Sequence, residues 1–216
     1  MMARAVVHVI LKKNINQGME IKQIVNSVFN SCTYVLTQCG QSWVVDCGDV
    51  ESILARVNGN LCGVLLTHAH FDHIYGLNRL LSVFPDVPVY TNREGLNGLL
   101  SDKLNFSRYH EEPFILDRPG NVRLVDDGET VTLMDGIDAQ AIATPGHSPC
   151  CITWIVRDAV FTGDSYIPGI KTVTNFPHSD KMLARQSEER ICSLACDRHI
   201  YPGHATQDEI ITNQII

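Results

Sequence analysis

Any fold adopted by this chain has to accommodate Thr67-His68-Ala69-His70-Phe71-Asp72-His73, three imidazoles and a carboxylate within six residues. The cluster lies where an apolar run, Cys62 to Leu66, gives way to an amphipathic helix. His68 and His70 alternate on an extended segment and can face the same way, while Asp72 and His73 open the helix and approach a second point. Taken alone, the cluster reads as loop histidines with Asp72 as a capping carboxylate. Three later segments change that reading: Thr144-Pro145-Gly146-His147, Thr162-Gly163-Asp164 and Tyr201-Pro202-Gly203-His204. Each sets one ligand-type residue directly after a glycine, at the end of an expected strand, where the backbone turns tightly and the side chain projects from a rigid edge.

The intervening sequence has the texture needed to bring these segments together. Short β-rich runs bounded by Gly, Asn or Asp occupy Val6–Leu11, Ser31–Thr37, Ser42–Val45 and Cys62–Leu66, with a short helix over Val50–Val57. Ile74, Leu77, Leu80 and Leu81 fall at helical spacing, so a helix is predicted over Asp72–Phe84, stopped by Pro85. A strand over Val87–Tyr90 and a helix over Asn92–Leu104 continue the alternation. From Pro113 strands dominate: Phe114–Leu116, Val122–Val125, Thr130–Leu133, Ile137–Ala143, Ile152–Val156 and Ala159–Phe161. A closing helix, Lys181–Cys196, leads to a strand over His199–Tyr201. No fixed-period repeat or low-complexity linker interrupts the chain, and 216 residues suit one domain, 1–216. Many strands with helices to cover them point to two sheets between helical layers.

Charge and cysteine usage narrow the partners. Seventeen Lys and Arg against 24 Asp and Glu give a net charge of −7, and no basic run offsets it, so nucleic acid is not expected as a partner. The eight cysteines are scattered through a chain large enough to need no cross-links. The apolar run Ala5–Leu11 is short for a leader, and nothing approaches membrane-spanning length. The expectation is a reduced, soluble, cytoplasmic protein with a small-molecule substrate; the sequence leaves its oligomeric state open.

The ligand-type residues total seven: His68, His70, Asp72, His73, His147, Asp164 and His204. Neutral imidazole and carboxylate suit zinc, and also iron or manganese. Seven exceed what one tetrahedral zinc uses, but serve two divalent ions that share a bridging carboxylate and a bridging water.

With these residues in place, the chain resembles the metallo-β-lactamase superfamily from Val45-Asp46-Cys47-Gly48 through the His68 cluster to Gly203-His204. The resemblance implies an α+β, four-layer αββα sandwich with the site at one edge of both sheets. It further implies that His68, His70 and His147 hold one metal, that Asp72, His73 and His204 hold the other, and that Asp164 bridges them, with Asp46 as an outer support. The chain is similar to glyoxalase II in its complete ligand set. It differs from true β-lactamases of the superfamily, which carry Cys or Ser where Asp164 stands, and from flavodiiron proteins, which replace one cluster histidine by Glu.

The expected activity is dinuclear metal-dependent hydrolysis of a small ester, thioester or lactone by a metal-bridging hydroxide, with zinc ahead of iron or manganese. Asp72 is the candidate for relaying the nucleophile's proton, and Tyr166 for a hydrogen bond to substrate. The segment from Asp164 to His204 should supply the substrate wall, with Lys171 and His178 as lesser candidates. Ser148 and Ser165 are read as turn hydrogen-bonders, His8, His110 and His199 as structural or surface residues, and Cys192 and Cys196 as buried. Three alternatives remain: a mononuclear iron sulfur dioxygenase using His68, His147 and Asp164, a phosphodiesterase, and a non-enzymatic metal-binding sensor.

Overall fold

The computed structural model describes residues 18–205, so the strand expected over Val6–Leu11, and His8 within it, lies outside the described residues. One sheet runs in the order β1 (Glu20–Val25), β2 (Cys32–Gln38), β3 (Gln41–Val45), β4 (Asn60–Leu65), β5 (Val89–Thr91) and β6 (Val122–Leu124). The other is a meander of β7 (Thr130–Met134), β8 (Ile137–Ala143), β9 (Ile152–Val156) and β10 (Ala159–Gly163), with β11 (His199–Pro202) beside β10. Pairing is antiparallel from β1 to β3 and parallel from β3 to β6; β11 joins β10 in parallel. Parallel neighbours need crossovers. Helices α1 (Val50–Leu54), α2 (Phe71–Ile74), α3 (Leu77–Val83) and α4 (Arg93–Leu99) supply them in the first sheet, and α5 (Lys181–Leu194) in the second.

The period of two along each strand assigns the layers. Val35, Val44 and Val64 face outward and pack with Ile53, Leu77 and Leu80 of the helices, whereas Leu36, Trp43, Val45 and Leu65 face inward against Leu133, Ala139, Trp154 and Phe161 of the second sheet. Ile142, Ile155 and Val160 point away from that centre and pack with Leu194 and Ala195 at the end of α5. The result is the expected four-layer αββα sandwich. Strands buried on both faces read as continuous apolar runs, which is why β2, β3, β4 and β9 stand out in the sequence. Two indoles cross the centre with their N–H groups satisfied: Trp43 Nε1 donates to Leu133 O at 2.7 Å and Trp154 Nε1 to Leu66 O at 2.9 Å.

Several boundaries differ from the sequence expectation. β1 was not foreseen; its outward residues Glu20 and Lys22 pair at 3.3 Å and charge an edge strand, masking the apolar alternation. The helix expected over Asp72–Phe84 divides at Gly76, whose N–H is bound to Cys47 O at 3.0 Å in the loop after β3. The helix expected over Asn92–Leu104 ends at Leu99, though Asn92 caps it by accepting Gly95 N–H at 2.8 Å. Phe114–Leu116 forms no strand. Its backbone is held by Ser107 Oγ, Asn105 Nδ2 and Leu99 O while Phe114 and Leu116 bury their side chains, so apolar content without a neighbouring strand misled the reading.

Candidate metal centre

Four of the strands in parallel pairs, β3, β4, β10 and β11, each deliver a functional residue to one edge of the sandwich. Asp46 follows β3, the His68 cluster follows β4, Asp164 follows β10 and His204 follows β11; His147 sits in the loop between β8 and β9. Two glycines make the convergence possible. A Cβ on Gly203 would lie 2.1 Å from Asp164 Oδ1, and Gly163 holds a φ of +50° with Thr67 Oγ1 2.5 Å from where its Cβ would be.

All seven expected ligands meet. His68, His70 and His147 form one group; Asp72, His73 and His204 form another; His68, His73 and Asp164 form a third that links them. His147 Nε2 and His70 Nδ1 come within 3.0 Å of each other. One Asp164 oxygen, Oδ2, lies 3.5 Å from His147 Nε2 and 3.3 Å from His204 Nε2, while Oδ1 lies 3.4 Å from His73 Nε2. Its carboxylate therefore stands between the two groups. Asp72 Oδ2 is 3.4 Å from His73 Nε2 and 3.3 Å from His204 Nε2.

Hydrogen bonds behind the ligands fix which ring nitrogen faces inward. Asp46 Oδ1 and Oδ2 accept from Thr67 N and Thr67 Oγ1, each at 2.7 Å, and Oδ2 also accepts His73 Nδ1–H at 2.9 Å. Because the Thr67 hydroxyl donates to Asp46, its lone pairs are left to receive His68 Nδ1–H at 3.1 Å. His147 Nδ1 and His204 Nδ1 donate to the carbonyls of Val173 and Phe29 at 2.9 and 3.0 Å. Four imidazoles thus present Nε2 and one, His70, presents Nδ1; such outer bonds set tautomer and raise ligand basicity. Asp46 adopts a φ of +58°, uncommon for a non-glycine residue and a sign of a position held by its surroundings.

The donor set fits metal ions. His68 Nε2 is buried with no hydrogen-bond partner, and His73 Nε2 and Asp164 Oδ1, also buried, face each other at 3.4 Å without hydrogen-bond geometry, a costly condition for polar atoms that a cation would relieve. Electrostatics agree. Burial, together with the neighbouring His73 and His70, holds the His68 imidazole well below its ordinary pKa, and burial with His147 presses His70 down to about 3, so both offer lone pairs. Burial also works against charge on His73 and His204, but Asp72 and Asp164 outweigh it, raising His73 well above its ordinary value and His204 to about 10. Asp164, despite burial, is held well below the usual carboxylate range by His73 and His204. The protons on His73 and His204 neutralise carboxylates that a divalent cation would neutralise instead.

Other sequence candidates fall elsewhere. Tyr166 lies beside Cys192 of α5, and burial together with that neighbour raises its pKa. Lys171 is exposed. Ser148 Oγ contacts Cys150 Sγ at 3.2 Å within its own turn, as expected, whereas Ser165 Oγ donates to Thr144 O at 2.9 Å and so ties the loop after β10 to the end of β8 rather than closing a local turn. His110 stacks on Phe71 at 4.1 Å and His199 is exposed. Cys192 and Cys196 are exposed rather than buried, because α5 turns Ala184, Ser187 and Ile191 inward.

The wall beside the metals comes in part from the expected segment, through Phe176, Pro177 and His178, but not from its first part. Tyr166–Lys171 closes on itself through an Ile167–Ile170 bridge. A cleft of about 160 Å³ is instead lined by Leu104, Phe106, Pro149, Cys150, Pro177 and His178, next to His70. Phe106 meets His70 edge to face with ring centroids 4.9 Å apart, and the Phe176 ring lies 5.3 Å from Phe106 and 5.7 Å from His147. No spacing rule marks these phenylalanines; they sit in irregular loops far apart in sequence.

Known proteins share this architecture. The chain is 29% identical over 154 residues to a probable metallo-hydrolase, YqgX, of Bacillus subtilis, covering 70% of this chain and 72% of that protein. It is 33% identical over 134 residues to a hydroxyacylglutathione hydrolase of Pseudoalteromonas translucida, covering 60% and 43%, and 26% identical over 197 residues to an atrochrysone carboxyl ACP thioesterase of Aspergillus fumigatus, covering 85% and 53%. It thus spans about half the length of these last two. Among solved structures, the BLEG-1 B3 metallo-beta-lactamase superimposes with a TM-score of 0.78 at 26% identity, over 87% of this chain and 92% of that one. Residues 27–204 match the family model of the metallo-beta-lactamase superfamily, and the chain belongs to that superfamily.

Proposed function

We propose that this metal-dependent hydrolase holds two divalent ions, zinc foremost, and cleaves a small ester, thioester or lactone. The observation that carries the reading is the placement of the Asp164 carboxylate between two groups of inward-facing donors, with the buried His68 Nε2 left without a hydrogen-bond partner. His68, His70 and His147 would hold one ion, Asp72, His73 and His204 the other, and Asp164 both. Paired cations lower the pKa of bound water toward neutrality and polarise the oxygen of the attacked group. The chain's own part is orientation and proton handling. Asp46 and Thr67 lock His68 and His73. Asp72, only partly buried and within 3.3 Å of His204, stands where it can accept the nucleophile's proton and pass it to the leaving group. Tyr166, beside Cys192, serves the outer wall in this reading rather than the reacting carbonyl.

The names of two relatives, a hydroxyacylglutathione hydrolase and a thioesterase, put thioesters first among these substrates. We assign the protein to a reducing compartment, the cytoplasm, on cysteines scattered through a chain large enough to need no cross-links. None of the described helices is long and apolar enough to cross a membrane. The test is metal analysis joined to a panel of thioesters, lactones, β-lactams and phosphodiesters. Two ions per chain with thioester or lactone turnover lost on chelation is the expected result. A single iron with oxygen uptake, turnover confined to phosphodiesters or β-lactams, or silence across the panel overturns it.

A further inference from the structure

The cleft beside His70 is shaped and charged for one kind of acyl group. Its volume of about 160 Å³ is close to that of cavities that accept a benzene-sized molecule. Leu104, Phe106, Pro149 and Pro177 supply apolar and aromatic surface, and Phe106 leans on the His70 ring, so a group seated there places its carbonyl next to the metal ligands. The ionisable groups facing the cleft are Glu94, His178, His70 and the buried Cys150 thiol; none of the described lining residues is Lys or Arg. Glu94 Oε2 is tied only to Asn97 Nδ2, at 3.3 Å, on its own helix, so no cation offsets its charge there. That charge reaches the cleft floor. Cys150, whose pKa is raised chiefly by burial, is raised further by Glu94.

We infer that this cleft is the acyl pocket, that it takes a compact, uncharged, ring-sized acyl group, and that Glu94 is the specificity-determining residue that turns away acyl groups bearing a second carboxylate. The inference rests on the hydrolase reading above and adds the substrate class. Glu94 is exposed at the mouth of the cleft, so a like charge a few ångströms away is repelled through solvent, with a preference that weakens as salt rises. Phe106 and Leu104 restrict length, so long unbranched chains are excluded by size.

The metal-loaded protein is assayed with thioesters of one common uncharged thiol, N-acetylcysteamine, carrying phenylacetyl, succinyl or dodecanoyl groups. The expected result is a kcat/KM for phenylacetyl at least about tenfold above the other two. Glu94→Lys raises the ratio of the succinyl to the phenylacetyl value about tenfold or more, and loses that effect at high salt. Phe106→Ala raises the dodecanoyl value. Binding of the amides phenylacetamide and succinamate, followed by NMR titration of the same protein, gives a readout independent of turnover, and the preference and its reversal by Glu94→Lys should recur there. Turnover with succinyl equal to or above phenylacetyl, or no response to Glu94→Lys, overturns the pocket assignment while leaving the hydrolase reading intact. No turnover of any thioester, ester or lactone, with amide selectivity preserved, overturns the hydrolase reading and leaves the pocket; equal amide binding overturns the pocket whatever the kinetics.

Discussion

Asp46 Oδ2 accepts the Nδ1 proton of His73 at 2.9 Å while the same carboxylate holds Thr67, which in turn holds His68. One buried acid therefore orients a donor in each ligand group without facing the metals. Replacing it by Asn keeps the volume but sets an amide where two or three donors need an acceptor. Asp46→Asn should lower metal affinity by about 10- to 100-fold, as losses behind metal ligands commonly do, while the fold persists. Chelator competition with far-UV circular dichroism checks this; unchanged affinity would show that Asp46 supports the fold alone.

Asp164 is the shared ligand, so its loss should act on both ions. Asp164→Ala and His68→Ala are expected to abolish hydrolysis, and Asp164→Ala to leave fewer than one ion per chain by elemental analysis. Full turnover in either variant would defeat the catalytic assignment.

Metal binding should release protons. His204, raised to about 10, and His73, also raised, are protonated at neutral pH in the metal-free protein, whereas ligation requires their lone pairs. Apparent affinity of the Asp72–His73–His204 site should therefore climb with pH through the neutral range. For the metal-free protein the sign is opposite. A histidine whose pKa is raised on folding contributes stability that is complete below about pH 6.5 and fades as pH rises through the folded value, about 10 for His204. Calorimetry in buffers of differing ionisation enthalpy reads the proton count; heats independent of buffer would contradict it.

How much of this was legible beforehand depended on where the chemistry sits relative to regular structure. His68, His147, Asp164 and His204 each follow a strand, three of them directly after glycine, so local pattern alone marked them. The αββα layering was readable because strands such as Ile152–Val156 are apolar on both faces. Phe106, Phe176 and Glu94 carry no such mark: their role arises from three loops and a short helix meeting in space. Likewise Gly76 breaks a helix through a bond to Cys47 that no periodicity reports.

Tyr166→Phe removes a hydroxyl that lies beside Cys192 rather than among the ligands. Its kcat/KM should stay within about threefold of the parent. A fall of tenfold or more in kcat at constant KM would return Tyr166 to the reacting group.

Trp154→Phe withdraws the N–H that Leu66 O accepts and leaves space in the fully buried layer between the sheets. Unfolding free energy should drop by about 2–4 kcal/mol, combining a lost buried hydrogen bond with a cavity. Urea denaturation measures it, and a change under about 0.5 kcal/mol would mean the layer repacks freely.

The seven donors are divided between the halves of the sandwich: the His68 cluster hangs from the first sheet, while His147, Asp164 and His204 hang from the second. Ions held there act as a rivet driven through both plates. A chain that has closed only one half offers an incomplete grip, so uptake should come late in maturation, and stripping the rivet should let the plates slide before either one melts.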